Sequence, residues 1–209
     1  CAKLHINDIL ELNGLSMEQL HEYSYKTGLG LSLVRTLHRF DKEALLNDLF
    51  NYTDYLETKD IASQVAIDYR IKSLESIATK YERYYPNTQT YKVFNDVLGF
   101  RAFCSDYADI IAAESDTLRI VDMSTGKRND DGYRGVHVYF QVDNFHYPIE
   151  IQFNTLFDRQ LNDWLHDYVY KRNYPLSYGQ QLREKYEHEV IKSESEFKEV
   201  FYGLCGCKE

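Results

Sequence analysis

The sequence predicts an α/β (α+β) protein: a small mixed β-sheet flanked by helices, with helical extensions at both ends. Three observations predict it. Residues 135–142 and 147–153 alternate apolar and polar side chains at the two-residue period of a strand. Residues 61–84, 161–169 and 179–201 repeat apolar side chains at three- and four-residue steps, the period of a half-buried helix. Hydrophobic residues make up 44% of 209, with only 3 prolines and 10 glycines, a composition that supports a folded core and not a disordered chain.

Taken in order, residues 4–58 read as short helices begun by Leu4, Ile9, Leu10 and Leu12, with a stronger one from an Asp41 N-cap to Leu56. Residues 61–84 read as one long helix that buries Ile67, Ile71, Leu74, Ile77 and Tyr81 and stops at Tyr85-Pro86-Asn87. Strands follow at about 98–104, 118–123, 135–142 and 147–153, with a short helix over 106–115. The polar stretch from Ser124 to Asp131 reads as a mobile loop. Leu161, Trp164, Leu165, Tyr168 and Val169 form the stripe of a helix closing near Asn173-Tyr174-Pro175. A last helix over 179–201 is expected to bury Leu182, Tyr186, Val190, Phe197 and Phe201. The expected division is a helical extension over 1–60, a central domain over 61–175, and a C-terminal amphipathic helix and tail over 176–209.

A formal net charge of −9 argues against indiscriminate nucleic-acid binding, which needs a basic surface. Residues 61–101 are locally basic, with six Lys and Arg against four Asp and Glu, which suits a polyphosphate ligand. No apolar run approaches the roughly 20 residues of a membrane span, and no signal-peptide pattern opens the chain, so a cytoplasmic protein with no membrane partner is expected. Cys1, Cys104 and the tail pair Cys205 and Cys207 lack zinc-site spacing and read as unpaired thiols.

Three groups of residues carry chemistry. Lys72, Ser76 and Lys80, four residues apart, would form one stripe of the long helix with Arg70 close by, a row suited to successive phosphates. Asp96 stands at the entrance of a strand that contains Arg101. In the hairpin, turning over Asp143–His146, His137 would face Gln152 and Tyr139 would face Glu150, with Tyr133 and Arg134 just upstream. A carboxylate on the inner face of a strand is a candidate catalytic or metal-binding group.

Together these residues resemble a known family. Arg70-Ile71-Lys72-Ser73 with Ser76-Ile77 and Lys80 resembles R-x-K-[ST]-x-x-S-I-x-x-K, and Asp96–Arg101 resembles D-x-x-G-x-R. Asp131–His137 is similar to the G-Y-R-[SG]-x-H signature, Glu150-Ile151-Gln152 with Thr155 to E-I-Q-x-R-T, and His166 with Tyr170-Lys171 to H-x-x-x-Y-K. The five occur in register over about half the chain and resemble the synthetase domain of the RelA/SpoT homologues. The resemblance implies a nucleotidyltransferase-like fold that moves the β,γ-pyrophosphate of ATP onto a ribose 3′-hydroxyl. It implies that Arg70 and Arg101 stack on adenine and that Lys72, Ser76 and Lys80 hold the ATP phosphates. Asp96 and Glu150 would bind Mg²⁺, with Glu150 also taking the proton of the attacking hydroxyl. Tyr133 would stack on the acceptor base, His137 and Gln152 would line the acceptor side together with Arg134, and Lys127 and Arg128 would reach acceptor phosphates.

The departures from the family pattern follow Glu150. Asn154 replaces the family arginine, Leu161 and Leu165 stand at the places of a tryptophan and an acid, Trp164 is displaced by three positions, and Arg159 replaces a small polar residue. The default acceptor is GDP or GTP, giving a (p)ppGpp-type alarmone. The alternative is the toxic small alarmone synthetase subfamily, some of which pyrophosphorylate the 3′ CCA end of tRNA under the control of an antitoxin protein, with Arg159, Lys171 and Arg172 as a basic rim. A second alternative is an inactive nucleotide-binding module. His166-Asp167 is absorbed by the synthetase motif, and His5, His21 and His38 lack the pattern of the family's metal-dependent hydrolase domain.

Overall fold

Among the described residues, five strands form one sheet in the order β1-β2-β5-β4-β3, where β1 is Asp68–Ile71, β2 Leu98–Phe103, β3 Leu118–Asp122, β4 Val136–Phe140 and β5 Ile149–Asn154. The computed structural model describes residues 4–206. The chain divides into two compact units. The first takes the residues up to Ala102 with Ala108–Ile120 and His137–Gln152; the second takes Phe103–Tyr107, Val121–Val136 and the residues from Phe153 onward.

In the first unit α1 (Ile6–Leu12) and α2 (Met17–Tyr23) precede a 3₁₀ turn at Leu37–Arg39, then α3 (Lys42–Glu57) and α4 (Ile61–Gln64). The expected Asp41 cap is present, its carboxylate accepting from the Ala44 N–H at 2.8 Å, which satisfies an orphan donor of α3's first turn. Leu45, Leu49, Tyr52 and Leu56 form the buried stripe of α3. Asp48 sits within that stripe at 4% exposure and accepts from Thr27 Oγ1 (2.7 Å), the Gly28 N–H (2.9 Å) and Tyr147 Oη (2.8 Å). Tyr52 stacks on Tyr147 with ring centres 5.5 Å apart, so α3 is tied to the start of the β5 segment by both polar and aromatic contacts. Asp48→Ala strands two buried hydroxyls, those of Thr27 and Tyr147, and should lower stability by about 2–4 kcal/mol in urea denaturation.

The long helix expected over 61–84 does not form. Its residues divide into α4, strand β1 and α5 (Leu74–Tyr84), which is capped by Ser73. β1 pairs antiparallel with β2 at Asp68↔Arg101, Tyr69↔Phe100, Arg70↔Gly99 and Ile71↔Leu98. Extended backbone gains this ladder, which an isolated helical turn could not supply. Of the five residues assigned to a buried helical stripe, Ile67, Ile77 and Tyr81 are buried, Ile71 is half-buried and Leu74 is exposed. After α6 (Thr90–Val93), the predicted strands and the short helix, α7 (Ala108–Ala112), lie within a few residues of their expected places. Val136, Val138, Ile149, Ile151 and Phe153 are fully buried, and the alternating His137, Tyr139 and Glu150 are buried as well.

In the second unit α8 (Leu156–Leu165) is capped by Thr155 and continues into a π-helical turn at His166–Tyr170; α9 (Leu176–Glu187) and α10 (Glu194–Cys205) follow. The single helix expected over 179–201 is two. Glu189 adopts a left-handed φ of 57°, and Ser193 opens α10 with a capping box to Glu196. This break turns Val190 out to 55% exposure and buries Ile191 in its place, beside Leu161, Leu165, Val169, Leu182, Tyr186, Phe197 and Phe201. Cys205 closes α10, and Cys1 and Cys207 lie outside the described residues. Burial, reinforced by Asp106 and Asp158, pushes the Cys104 thiol up to about 11. At pH 8 only about a thousandth of it is thiolate, so iodoacetamide should label native Cys104 far more slowly than in the denatured chain, the rate rising as pH approaches 11. Mass spectrometry of the labelled peptide reads this directly. No helix among the described residues is long and apolar enough to cross a membrane.

Candidate active site

Lys72 follows β1 directly, and its backbone N–H donates to the Val97 carbonyl at 2.8 Å, which fixes it beside the Asp96 segment. Its Nζ lies 2.7 Å from Asp96 Oδ2, while Lys80, on α5, places its own Nζ 3.0 Å from Asp96 Oδ1 and 3.2 Å from the Val93 carbonyl. Each oxygen of one carboxylate thus holds a lysine. Lys72 and Lys80 therefore meet through Asp96 and not along one exposed helical face. Lys72 lies before the helix and is only 7% exposed. Burial lowers its pKa, Asp96 opposes that shift, and Lys80 adds to it. Ser76 is exposed in the first turn of α5, where its N–H donates to Ser73 Oγ at 3.3 Å and its hydroxyl accepts from the same group at 2.9 Å.

Glu150 lies on β5 at 6% exposure, and each of its two oxygens has a hydrogen-bonding partner. Oε1 faces Tyr139 Oη and His137 Nδ1, both at 2.9 Å, and Oε2 accepts from Gln152 Nε2 at 2.7 Å. The polar faces of the two strands meet here. Burial alone would raise the pKa of Glu150, but the contacts with His137, Gln152 and Tyr139 outweigh it and hold the carboxyl near 2. Tyr139 joins this network although its ring could pass for hairpin core; Arg119 covers it from the other side, 4.4 Å from the ring centre. The signal for Tyr139 was its place two residues from His137 on the same face.

Arg70 and Arg101 stand on one face of the sheet, because Arg70 pairs with Gly99 and Gly99 is two residues from Arg101. Gly99 leaves the space between them open; a Cβ there would lie 3.7 Å from Glu150 Oε2. Arg70, Asp96, Gly99, Phe100, Arg101, Glu150 and Gln152 line one cleft. Seven of the expected site residues are thus brought together in the first unit, five in the cleft and Lys72 and Lys80 through Asp96; His137 joins them through Glu150, and Ser76 stands apart.

The remaining expected residues belong to the second unit. Lys127 Nζ pairs with Asp131 at 2.7 Å and lies 5.0 Å from the centre of the Tyr133 ring. The Arg134 guanidinium holds Asp130 through two bonds (2.8 and 3.0 Å), and Arg128 is exposed. Arg159 donates to Asn154 Oδ1 at 3.1 Å, approaches Asp163 at 3.5 Å and lies over Phe103. Asn154, fully buried, also donates to the Arg134 carbonyl at 2.9 Å. Two departures from the family pattern, Asn154 and Arg159, therefore touch. Leu161 and Leu165 are core residues, and Trp164 packs edge-on against Tyr186. His166 lies 3.3 Å from Asp167, which also pairs with Lys171. Among the described residues, no group of three or more His, Cys, Asp and Glu is arranged to hold a metal ion.

The family model described as the region found in RelA/SpoT proteins matches residues 69–174, just over half of the chain. The chain belongs to the RelA/SpoT family. The matched span contains both site carboxylates of this RelA/SpoT chain, Asp96 and Glu150, and both site lysines, Lys72 and Lys80, together with Tyr133 and Arg159. No curated protein sequence matches it. Among solved structures it is similar to small alarmone synthetase 2 from Bacillus subtilis (25% identity, TM-score 0.43, 80% of this chain and 97% of that one). It is also similar to small alarmone synthetase 1 from the same organism bound to its product pppGpp (22%, 0.42, 78% and 90%). A third is a GTP pyrophosphokinase family protein from Streptococcus pneumoniae (20%, 0.40, 77% and 89%).

Proposed function

We propose that this RelA/SpoT-family chain is an ATP-dependent pyrophosphokinase that transfers the β,γ-pyrophosphate of ATP to the ribose 3′-hydroxyl of GDP or GTP, forming a (p)ppGpp-type alarmone. The observation that carries the reading is the pair of carboxylates in one cleft, Asp96 clasped by Lys72 and Lys80 and Glu150 held ionised by His137, Tyr139 and Gln152.

Pyrophosphoryl transfer spreads negative charge over the phosphoryl oxygens and needs an aligned nucleophile; little else is asked of the protein. Lys72 and Lys80 supply two cations within reach of one point, and the burial of Lys72 lets its charge act with little screening by water. Arg70 and Arg101, on one face of the sheet, suit the adenine because a guanidinium stacks and stays charged. The donor set fits Mg²⁺: two carboxylates lining one cleft are the hard oxygen ligands that Mg²⁺ takes alongside substrate phosphates. Asp96 and Glu150 would hold the ion, and it would neutralise charge on the bridging oxygens. Glu150 accepts the proton of the attacking hydroxyl at Oε1 or Oε2. His137 and Tyr139 fix its plane, and Gln152 and His137 would line the acceptor side, as the family resemblance implies. Tyr133 is the proposed stacking group for the acceptor base, with Lys127, Arg128, Arg134 and Arg159 as the candidate acceptor-binding cations.

Purified protein with Mg²⁺ and ATP labelled on its γ-phosphate, offered GDP, GTP and deacylated tRNA separately, tests the reading. Label on the guanine nucleotides is expected. Label on tRNA alone would replace the alarmone reading with the toxin reading and direct the search to an antitoxin, and no transfer at all would leave a nucleotide-binding module.

A further inference from the structure

The loop that carries Tyr133 is gripped from a helix beyond the span that the family match covers. Gly179, Arg183 and Glu187 are four residues apart and share one face of α9. At Gly179 the bare helix backbone meets the Asp131 carbonyl, and a Cβ there would overlap that oxygen. Gly132 answers it with a φ of +87°, and a Cβ on Gly132 would overlap the Gly179 carbonyl. One turn on, Arg183 is 1% exposed and its guanidinium reaches three segments. Nε donates to the Gly132 carbonyl at 2.7 Å, Nη1 to Asp158 Oδ1 at 2.7 Å and Nη2 to Asn162 Oδ1 at 3.1 Å. Asn162 in turn takes both backbone groups of Arg134, its Oδ1 accepting from the N–H at 3.2 Å and its Nδ2 donating to the carbonyl at 2.7 Å. The residues on either side of Tyr133 are thus held by their backbones.

We propose that α9 is a clamp on the acceptor loop and that Arg183 is a positioning residue for Tyr133. This rests on the reading of Tyr133 as the group that stacks on the acceptor base. A buried Arg–Asp pair adds little stability by itself, since an apolar pair of similar volume packs as well. A planar guanidinium spreads its donors in fixed directions, so Nε, Nη1 and Nη2 join a loop carbonyl, a carboxylate and an amide that the compact ammonium of a lysine would not span in this geometry. The chemistry of the clamp therefore points to geometry at the loop.

Two variants test it. Arg183→Lys keeps a cation beside Asp158 and loses the fork, and Gly179→Ala forces helix and loop apart without touching a charge. In each, the KM for GDP and GTP should rise about tenfold while the KM for ATP stays within about twofold, because a misplaced stacking group costs only the ligand it serves. Trypsin, cutting after Lys127 or Arg128 in the same loop, should act faster on both variants at an unchanged far-UV spectrum. Parallel changes in both KM values, or no change in either, would overturn the proposal. If the wild-type protein transfers pyrophosphate to no acceptor, the functional reading fails separately; the clamp then stands or falls on trypsin, and unchanged cleavage in the folded variants refutes it.

Discussion

Lys72→Ala should reduce turnover by about a hundredfold to a thousandfold, the loss that follows removal of one preorganised group from a transition state rich in negative charge. The size of the effect comes from placement. Lys72 is buried, its backbone is tied to Val97, and its ammonium group lies 2.7 Å from Asp96. Little reorganisation is left to be done when substrate arrives. Lys80 holds the other oxygen of Asp96 but is a quarter exposed, so Lys80→Ala should cost less. Both variants leave Asp96 with a single cation, which should also lower the thermal midpoint. Steady-state kinetics beside a melting curve separates the two effects. A Lys72→Ala protein with normal turnover would remove the lysine from the phosphate site.

Glu150→Gln should lose about two to four orders of magnitude in kcat, with the KM for ATP changed little. The amide keeps the volume of the acid but cannot take the proton, and it turns an N–H toward His137, Tyr139 or Gln152, each placed against a carboxylate oxygen. Since the network holds Glu150 near 2, it stays ionised from roughly pH 5 upward, and an acid limb of the rate profile in that range must come from another group. The stability that ionised Glu150 contributes is fully present above its unfolded pKa of about 4.5 and is lost only as pH falls through about 2. At pH 7 the Gln variant should therefore also be less stable than the parent.

Much of this site could be read from the chain because its residues come in short motifs on strands whose alternation is local. The hairpin from Val136 to Phe153 is the clearest case: the polar residues that alternate with its buried valines and isoleucines are the ones that meet around Glu150. The segment from 61 to 84 misled because Ile67, Ile71, Leu74, Ile77 and Tyr81 have helical spacing, while β1 is four residues long and owes its form to pairing with β2 some thirty residues away. The break between α9 and α10 was legible in part. Ser193 and Glu196 spell a capping box, but the left-handed residue before it is a glutamate and not the expected glycine. Arg183 could not be found at all, since on an amphipathic helix an inward arginine is told from an outward one only by its partners, and Gly132, Asp158 and Asn162 lie twenty to fifty residues upstream.

In the proposed reaction the β- and γ-phosphates of ATP leave together for a guanine nucleotide. Incubation of the protein with GDP, Mg²⁺ and ATP carrying distinct labels on its β- and γ-phosphates follows both groups at once. The expected result is AMP in amounts equal to a product that bears both labels in a one-to-one ratio, abolished by Glu150→Gln. Release of ADP, or a product bearing the γ-label alone, would contradict it.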